Sequence, residues 1–459
     1  MNIADPEILD RVHRHAVDYL LELPDRHVGA RATREEMLAA LRVPLRDDGE
    51  PASVVIDDLA AQGSRGTVAC AGPRYFGFVI GGSLPVALAA DWLTSAWDQN
   101  PGIYATSPLS SVIEEIAAEW VLDVLDLPRQ SGVGFVTGCQ MANFTCLASA
   151  RHGVLRRAGV NVEETGLADA PRVNIVVGAE AHVTVLTSLR MLGFGLRGVK
   201  TVPADGQGRM RADELARVVK SLPEGPTIIV AQAGNVNSGA FDPLREICEI
   251  GHERGAWIHV DSAFGLWARA AKNRRHLADG IELADSWATD AHKWLNVPYD
   301  NGIAIVRDSS AQRSAMAVRA EYIEHSAGVE RDNFEYVPEF SRRARGNTVY
   351  AAIRALGRRG VEQMVENGCE RAKQMADILA ADPRVKILND VVLNQVLVRF
   401  GDSDELTRDV VSRVQREGTC WLGGTTWQGL AAMRISVSHW GTSEEDAERS
   451  AEAILRCIG

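Results

Sequence analysis

The amino-acid sequence predicts an α/β fold with a mostly parallel sheet and helices on both faces. The first observation is that strand-like and helix-like segments alternate along the chain from residue 132 to residue 265. The second is that turn residues separate each strand-like segment from the helix-like segment after it, which is typical of a parallel sheet. The strand-like segments are residues 132–138, 173–182, 199–203, 227–234 and 256–265.

Two shorter strand-like segments, residues 286–295 and 302–308, are expected to extend the same sheet. Ligands of such sheets collect at the carboxyl ends of the strands. We therefore expect the functional side chains to lie at the carboxyl ends of these strands.

The segment before the sheet, residues 1–70, has helical character and is interrupted by Pro24, Pro44 and Pro51. Its first 24 residues look like an amphipathic helix and lack the cationic start and cleavage site of a secretory signal. Such a segment buries little apolar surface by itself. We expect it to pack on a partner subunit.

The sheet belongs to a predicted large domain, residues 71–345, whose last part (308–345) is polar, aperiodic and expected to be a mobile loop. After it, helix-like segments alternate with short strand-like segments up to residue 459. Residues 346–459 are therefore predicted to form a small C-terminal α+β domain.

Composition excludes several classes of protein. The chain has 459 residues and a formal net charge of -12, so it would repel nucleic acid and anionic membranes. No stretch reaches the roughly 20 apolar residues that span a bilayer. Seven scattered cysteines without metal-ligand spacing indicate reduced thiols, no metal site and a cytoplasmic location.

The glycines Gly193, Gly195 and Gly198 formally match a dinucleotide-binding fingerprint. That fingerprint must follow a strand and open a helix, whereas these glycines follow a helix-like segment and precede a strand-like one. We interpret them as a helix cap and a turn.

The tripeptide His292-Lys293-Trp294 places a lysine between a histidine and a large aromatic residue. A buried ammonium is costly unless it is paired or has lost its charge, and an imine with an aldehyde cofactor removes that cost. For an isolated tripeptide, a lysine that extends from a strand end to solvent is the simpler interpretation.

A carboxylate at a second strand end favours the cofactor. Asp261 ends a buried-looking strand, 32 residues before Lys293. A carboxylate opposite a pyridine nitrogen keeps that nitrogen protonated, and the protonated ring accepts electrons from a bond that breaks beside the imine.

Five motifs in this order carry a resemblance: TGCQMANFT, GAEAHVT, GNVNSGAFDP, DAHKWLNVPYD and SRRARG. With the pair of Asp261 and Lys293, the chain from about Gly72 to Arg434 resembles the group II pyridoxal-phosphate (PLP) amino-acid decarboxylases, which include the aromatic-L-amino-acid, histidine and glutamate decarboxylases. The resemblance implies the fold-type I PLP-dependent transferase fold, with a central sheet of seven strands. It also implies a homodimer in which the N-terminal segment wraps the partner and both active sites lie at the subunit interface.

The resemblance implies a role for each matching position. Lys293 would form the imine with the cofactor, Asp261 would pair with the pyridine nitrogen, and His182 would stack on one face of the ring. The other implied cofactor contacts are Ala263 beneath the ring, the phosphate turn Gly138, Cys139, Gln140 and Met141, the further phosphate contact His292, and the polar residues Asn237 and Ser238.

Two positions depart from the family pattern. Asp290 stands where many members have asparagine, and the phosphate turn lacks the usual serine and alanine. The family protonates its carbanion with a loop tyrosine. Tyr336 is the best match here, while Asn333 or Phe334 are alternatives for the equivalent place.

The sequence thus predicts PLP-dependent decarboxylation of a small-molecule L-amino acid, with Lys293, His182 and Tyr336 as catalytic residues. The alternatives are decarboxylation-dependent oxidative deamination to an aldehyde, β-elimination or transamination on the same scaffold, and a non-enzymatic binding protein. The substrate is left open. So is Arg434, which either contacts a substrate carboxylate or braces the small domain.

Overall fold

The structure is a computed structural model that describes residues 5–317 and 330–459. Its α-helices within these ranges are α1 (Pro6–Glu22), α2 (Arg34–Leu41), α3 (Ala52–Gly66), α4 (Pro85–Trp97), α5 (Pro108–Val124), α6 (Cys139–Arg157), α7 (Val162–Thr165), α8 (Val183–Met191), α9 (Ala212–Ser221), α10 (Leu244–Glu253), α11 (Ala291–Trp294), α12 (Ser309–Met316), α13 (Gly346–Ala380), α14 (Asp404–Glu417) and α15 (Glu444–Arg456). Its strands are β1 (Gly132–Val136), β2 (Asn174–Gly178), β3 (Lys200–Val202), β4 (Thr227–Gln232), β5 (Trp257–Asp261), β6 (Ser286–Asp290), β7 (Gly302–Val306), β8 (Val385–Ile387), β9 (Gln395–Phe400), β10 (Gly423–Trp427) and β11 (Leu430–Ser436).

The large sheet has seven strands in the order β1-β7-β6-β5-β4-β2-β3. Strands β2 to β6 pair in parallel, while β7 is antiparallel to both β6 and β1. Every residue of β4, β5 and β6 is buried, because helices cover both faces of the sheet. The predicted fold class is confirmed.

The C-terminal region holds a second, antiparallel sheet in the order β10-β11-β9-β8. The 35-residue helix α13 leads into it and is kinked at Gly357, whose φ of 60° is readily adopted only by glycine. Helix α13 begins at Gly346, the residue where the sequence places the start of the small domain, although the domain bounds remain a prediction.

The N-terminal helices α1, α2 and α3 contain no buried residue. Apolar side chains on α1 remain open to solvent, with Leu9 64% and Leu21 74% exposed. These apolar side chains could be buried only by a surface other than the described residues of this chain.

The region predicted as a loop, residues 308–345, contains a helix, and that prediction is wrong for α12. The Asp308 side chain accepts hydrogen bonds from the backbone N–H groups of Ser310 and Ala311 and so caps the helix. Only Ala311 and Met316 supply buried apolar contacts, so no clear period is visible in the sequence. Residues 318–329 of the predicted loop lie outside the described residues.

Across the two described ranges, no helix combines the length and the apolar character needed to cross a lipid bilayer.

The imidazole of His439 joins the C-terminal region to the segment before α4, because its Nε2–H donates to the Ala71 carbonyl at 2.9 Å. Its Nδ1 accepts from the Gly441 N–H at 3.0 Å. Burial lowers the pKa of His439 to about 4, so the folded state binds fewer protons than the unfolded state between that value and the usual 6.5.

This depressed pKa predicts a loss of stability in acid. The contribution of His439 is complete above pH 6.5 and falls as the pH is lowered towards 4, by about 2 kcal/mol at pH 5. Chemical denaturation at pH 7 and pH 5 should therefore show a smaller difference for His439→Gln than for the unchanged protein. The exposed His276→Gln is the control, and an undiminished difference in His439→Gln would contradict the prediction.

Candidate active site

Two carboxylates lie at the carboxyl edge of the large sheet, and Cys139 contacts both of them. Asp261 is the last residue of β5 and Asp290 the last residue of β6, and these strands pair in parallel. Both side chains are buried. Helix α11 follows Asp290 directly and carries His292 and Lys293, so the strand end and the next turn form one cluster.

The Asp290 carboxylate is the centre of this cluster. Its Oδ2 lies 3.0 Å from the Lys293 Nζ, and its Oδ1 accepts a hydrogen bond from the Cys139 backbone N–H at 2.6 Å. The His292 Nε2 lies 3.5 Å from the same Oδ1. Sequence reasoning noted Asp290 only as a departure from a family pattern. Its position at the end of a strand, shortly before His292 and Lys293, could have predicted a contact with Lys293.

The ammonium of Lys293 is stabilised by this neighbour. Burial disfavours the charged amine, but the Asp290 carboxylate and, behind it, the Asp261 carboxylate more than offset that effect. The pKa of Lys293 is consequently raised. Lys293 is therefore charged and paired with Asp290, and it must give up a proton before its amine can act as a nucleophile.

The first turn of α6 points its backbone at the cluster. Gly138 precedes the helix without a side-chain cap, and the Cys139 N–H already serves an anionic oxygen. A Cβ on Gly302 would overlap the Gly138 backbone, so the two segments approach this closely only because residue 302 is glycine. The free N–H groups at the start of a helix form a site for an anion such as phosphate.

The Asp261 carboxylate faces Cys139 on its other side. The Cys139 thiol donates to the Asp261 Oδ1 at 3.5 Å, and burial raises the pKa of this thiol, so it remains a protonated donor. Two residues after Asp261, Ala263 is half-buried, and its carbonyl accepts from the Asp290 N–H at 2.8 Å. The strand end thus presents a carboxylate and a small side chain.

His182 lies immediately before α8 and lines a cavity together with Asp261 and Gln232. Its Nδ1 lies 2.8 Å from the Thr184 Oγ1 and accepts from the Thr184 backbone N–H at 3.4 Å. Burial lowers the pKa of His182, which favours the neutral ring.

The structure brings together Lys293, His292, Asp261, His182 and Cys139, but other predicted residues contact different groups. The Asn237 Oδ1 accepts from Thr425 at 3.0 Å, and the Ser238 hydroxyl donates to the Gln207 carbonyl at 2.6 Å. In the predicted phosphate turn, Gln140 has an exposed side chain and Met141 a half-buried one.

Tyr336 lies in the turn Asn333–Tyr336, which packs on α12 and β1. The guanidinium of Arg331 sits 3.8 Å from the centre of its ring, and the Gln312 side chain donates to its backbone carbonyl at 2.8 Å. None of these contacts involves Lys293, and a role for Tyr336 in proton transfer remains a prediction.

Known proteins resemble the chain along most of its length. The pyridoxal-dependent decarboxylase conserved domain matches residues 35–400. The chain is 25% identical over 439 residues to tryptophan decarboxylase 1 of Oryza sativa subsp. japonica, covering 88% of this chain and 84% of the relative. It is 27% identical over 380 residues to L-2,4-diaminobutyrate decarboxylase of Rhizobium meliloti (strain 1021), covering 80% of this chain and 74% of that protein.

Among solved structures, the crystal structure of Oryza sativa TDC with PLP and tryptamine superposes with a TM-score of 0.92. It covers 100% of this chain and 99% of its own chain at 22% sequence identity. This likeness supports the fold.

Proposed function

The chain belongs to the pyridoxal-dependent decarboxylase family and is a PLP-dependent carboxy-lyase of amino acids, and we propose which residues serve this activity. Lys293, Asp261 and His182 hold the cofactor, and Arg434 binds the substrate. The observation that carries this assignment is the cluster at the sheet edge. A lysine, two carboxylates and a helix N-terminus meet there around Asp290.

The chemistry of these groups fits PLP. The Lys293 amine suits the aldehyde, the start of α6 suits the phosphate, and the Asp261 carboxylate suits a protonated ring nitrogen. Among the described residues, the Cys139 thiol is the side chain that donates a hydrogen bond to Asp261. The Asp261 carboxylate can therefore accept another hydrogen bond, from the ring nitrogen. His292 is assigned as a further phosphate contact, which is supported by its position beside Asp290 at the cluster.

Bound PLP supplies an electron sink for the electron pair that remains when the substrate carboxylate leaves as CO2. The protein controls protons around this event. Asp290 holds the Lys293 amine charged until that proton is passed on, and Asp261 keeps a proton on the ring nitrogen. His182 orients the substrate so that the bond to its carboxylate is the one that breaks. The orientation of the bonds at the substrate's α-carbon decides which of them is cleaved.

Arg434 supplies a cation on the small-domain side of the site. It lies on β11, half-buried, and forms no ion pair with any described residue. Burial lowers the pKa of Arg434. His182 and Tyr75 both lie within electrostatic range of its guanidinium. An unpaired, partly desolvated guanidinium is suited to a carboxylate of the substrate.

Replacing Arg434 by methionine should therefore weaken substrate binding. We expect KM to rise roughly tenfold or more, the size of one charge-assisted hydrogen bond, with a smaller change in kcat. Arg399→Met is the matched control, because Arg399 lies on the neighbouring strand β9 and is already paired with Asp404 at 2.5 Å. Loss of Arg399 should lower stability and leave KM unchanged. An unaltered KM in Arg434→Met would show that Arg434 only braces the small domain.

The activity itself is tested by incubating the PLP-loaded protein with a panel of L-amino acids. CO2 and the corresponding amine should appear in equal amounts for at least one of them. Hydrogen peroxide and ammonia are measured in the same samples, because their release would identify an aldehyde-forming reaction. Absence of CO2 across the panel would refute decarboxylation of these substrates.

A homodimer is part of the same proposal. It is supported by the exposed apolar residues of α1 and by Trp92 and Trp97 on α4, which are 40% and 42% exposed. Sedimentation equilibrium should give twice the mass of one chain, and a monomeric mass would contradict the interfacial active site. A cytoplasmic location is supported by the seven cysteines, all of which are free thiols.

A further inference from the structure

A continuous chain of hydrogen bonds runs behind the active site and ends on His182. It joins six side chains from β5, β6, α6 and α8 and the residue before α8. In order, these are Trp257, Ser286, His259, Asn143, Thr184 and His182.

The inner half of this hydrogen-bonded chain is fully buried. The Trp257 Nε1–H donates to the Ser286 Oγ at 2.9 Å, and the same oxygen lies 2.9 Å from the His259 Nδ1. The His259 Nε2 lies 2.8 Å from the Asn143 Oδ1. Burial lowers the pKa of His259 to about 3, so its ring is neutral and carries one proton.

The direction of the bonds is determined at the inner end. An indole N–H only donates, so the Ser286 oxygen accepts from Trp257 and keeps its own hydroxyl proton to donate. Ser286 is fully buried, and among the described residues the remaining partner of its hydroxyl is the His259 Nδ1. The proton of His259 therefore lies on Nε2 and is donated to the Asn143 carbonyl oxygen.

The outer end independently gives the same direction. With its oxygen facing His259, Asn143 directs its Nδ2–H to the Thr184 Oγ1 at 3.4 Å. The Thr184 hydroxyl then donates to the His182 Nδ1, 2.8 Å away. The Thr184 backbone N–H points at the same Nδ1 over a longer distance of 3.4 Å, a weaker contact that favours the bare nitrogen but does not hold it without the hydroxyl.

The Asn143 amide has a second branch. Its Nδ2 lies 3.9 Å from the Cys139 Sγ, and the Cys139 thiol donates to the Asp261 Oδ1. One buried amide therefore orients the donors to both Asp261 and His182, the two groups assigned to the ring.

We propose that Asn143 is a positioning residue of the active site, which acts through Thr184 to hold His182 neutral with its proton on Nε2. This inference rests on the proposed function of His182 at the cofactor. Because Thr184 occupies Nδ1, the Nε2–H is the donor that His182 offers at its free edge. Without the hydrogen-bonded chain, the ring exchanges between two tautomers and two orientations.

The tautomer is measured by solid-state 15N NMR of the PLP-loaded protein labelled at histidine. His182→Gln and His259→Gln assign the two rings by the signals that each substitution removes. The expected result is a bare Nδ1 and a protonated Nε2 for both residues. A protonated Nδ1 on His182 or on His259 in the unchanged protein would overturn the proposal. This outcome is measured on the unchanged protein and so does not depend on whether a variant folds.

Matched substitutions then test the outer link. Thr184→Val removes the hydroxyl at constant shape, so the bare Nδ1 signal of His182 should be lost or mixed and kcat should fall about tenfold. Thr184→Ser keeps the hydroxyl and should restore both. Asn143→Leu should behave as Thr184→Val, while Thr187→Val, one turn along α8, should behave as the unchanged protein.

Equal losses in Thr184→Val and Thr184→Ser, or an unchanged His182 tautomer in Thr184→Val and Asn143→Leu, would overturn the proposal. The result is separable from the proposed function. Failure to release CO2 would refute the activity whatever the tautomer. The wrong tautomer in a protein that releases CO2 would refute this inference alone.

Discussion

Replacing Lys293 by alanine should lower the rate of decarboxylation by at least about a thousandfold, because no other described residue offers an amine to the aldehyde at this site. The absorbance of the imine between protein and cofactor should disappear in the same variant. The fold should persist, since the Asp290 carboxylate keeps its hydrogen bond from Cys139 and its contact with His292.

The matched control is Lys272→Ala, whose side chain is 81% exposed and lies 4.0 Å from Glu362. Surface ion pairs of this kind contribute at most about 1 kcal/mol, so activity and absorbance should be unchanged. An imine band that survives in Lys293→Ala, or that is lost equally in Lys272→Ala, would place the cofactor on a different lysine.

Changing Asp261 to asparagine should reduce kcat by roughly two to three orders of magnitude at constant side-chain volume. A neutral amide no longer favours the proton on the ring nitrogen, so the electron sink is weakened where negative charge develops. The Cys139 thiol can still donate to the asparagine oxygen, which preserves the local packing. Measurements of kcat and of the dissociation constant for PLP check this expectation.

Asp242→Asn is the control for a buried carboxylate. Asp242 lines the same cavity as Asp261 and His182, but each of its oxygens already accepts a backbone N–H, from Met210 and from Gln232, at 2.7 Å. Its replacement should lower stability and leave kcat nearly unchanged. If Asp261→Asn retained full kcat, or if both variants lost activity to the same extent, Asp261 would not be the partner of the ring nitrogen.

Patterns in the sequence predicted much of the fold because they are local. The alternation of strands and helices predicted the parallel part of the large sheet, since strand β5 and its neighbours are short, fully buried segments between turns. Helix α12 was missed because its stability depends on the Asp308 cap and on two buried residues rather than on a periodic apolar face. The antiparallel pairing of β7 with β6 and β1 also lay beyond these patterns.

The sequence located Asp261 at the end of a strand, as the structure has it, whereas Lys293, expected at a strand end, lies on helix α11 just after β6. The site was predicted less well where contacts depend on distant elements. Ser238 matches a family motif, yet its hydroxyl donates to the Gln207 carbonyl, which lies on another loop. The side-chain contacts of Tyr336 likewise follow from the packing of its turn on Arg331.

The sequence by itself determined which groups are available to the candidate site: a lysine, a carboxylate and a glycine turn, each placed at or shortly after a strand end. Only the tertiary structure decided how these groups share protons. The ion pair of Asp290 with Lys293 and the hydrogen bonds from Trp257 to His182 join residues on separate strands and helices. A hydrogen bond depends on tenths of an ångström and on which atom carries the proton, and these are properties of packed side chains rather than of sequence spacing.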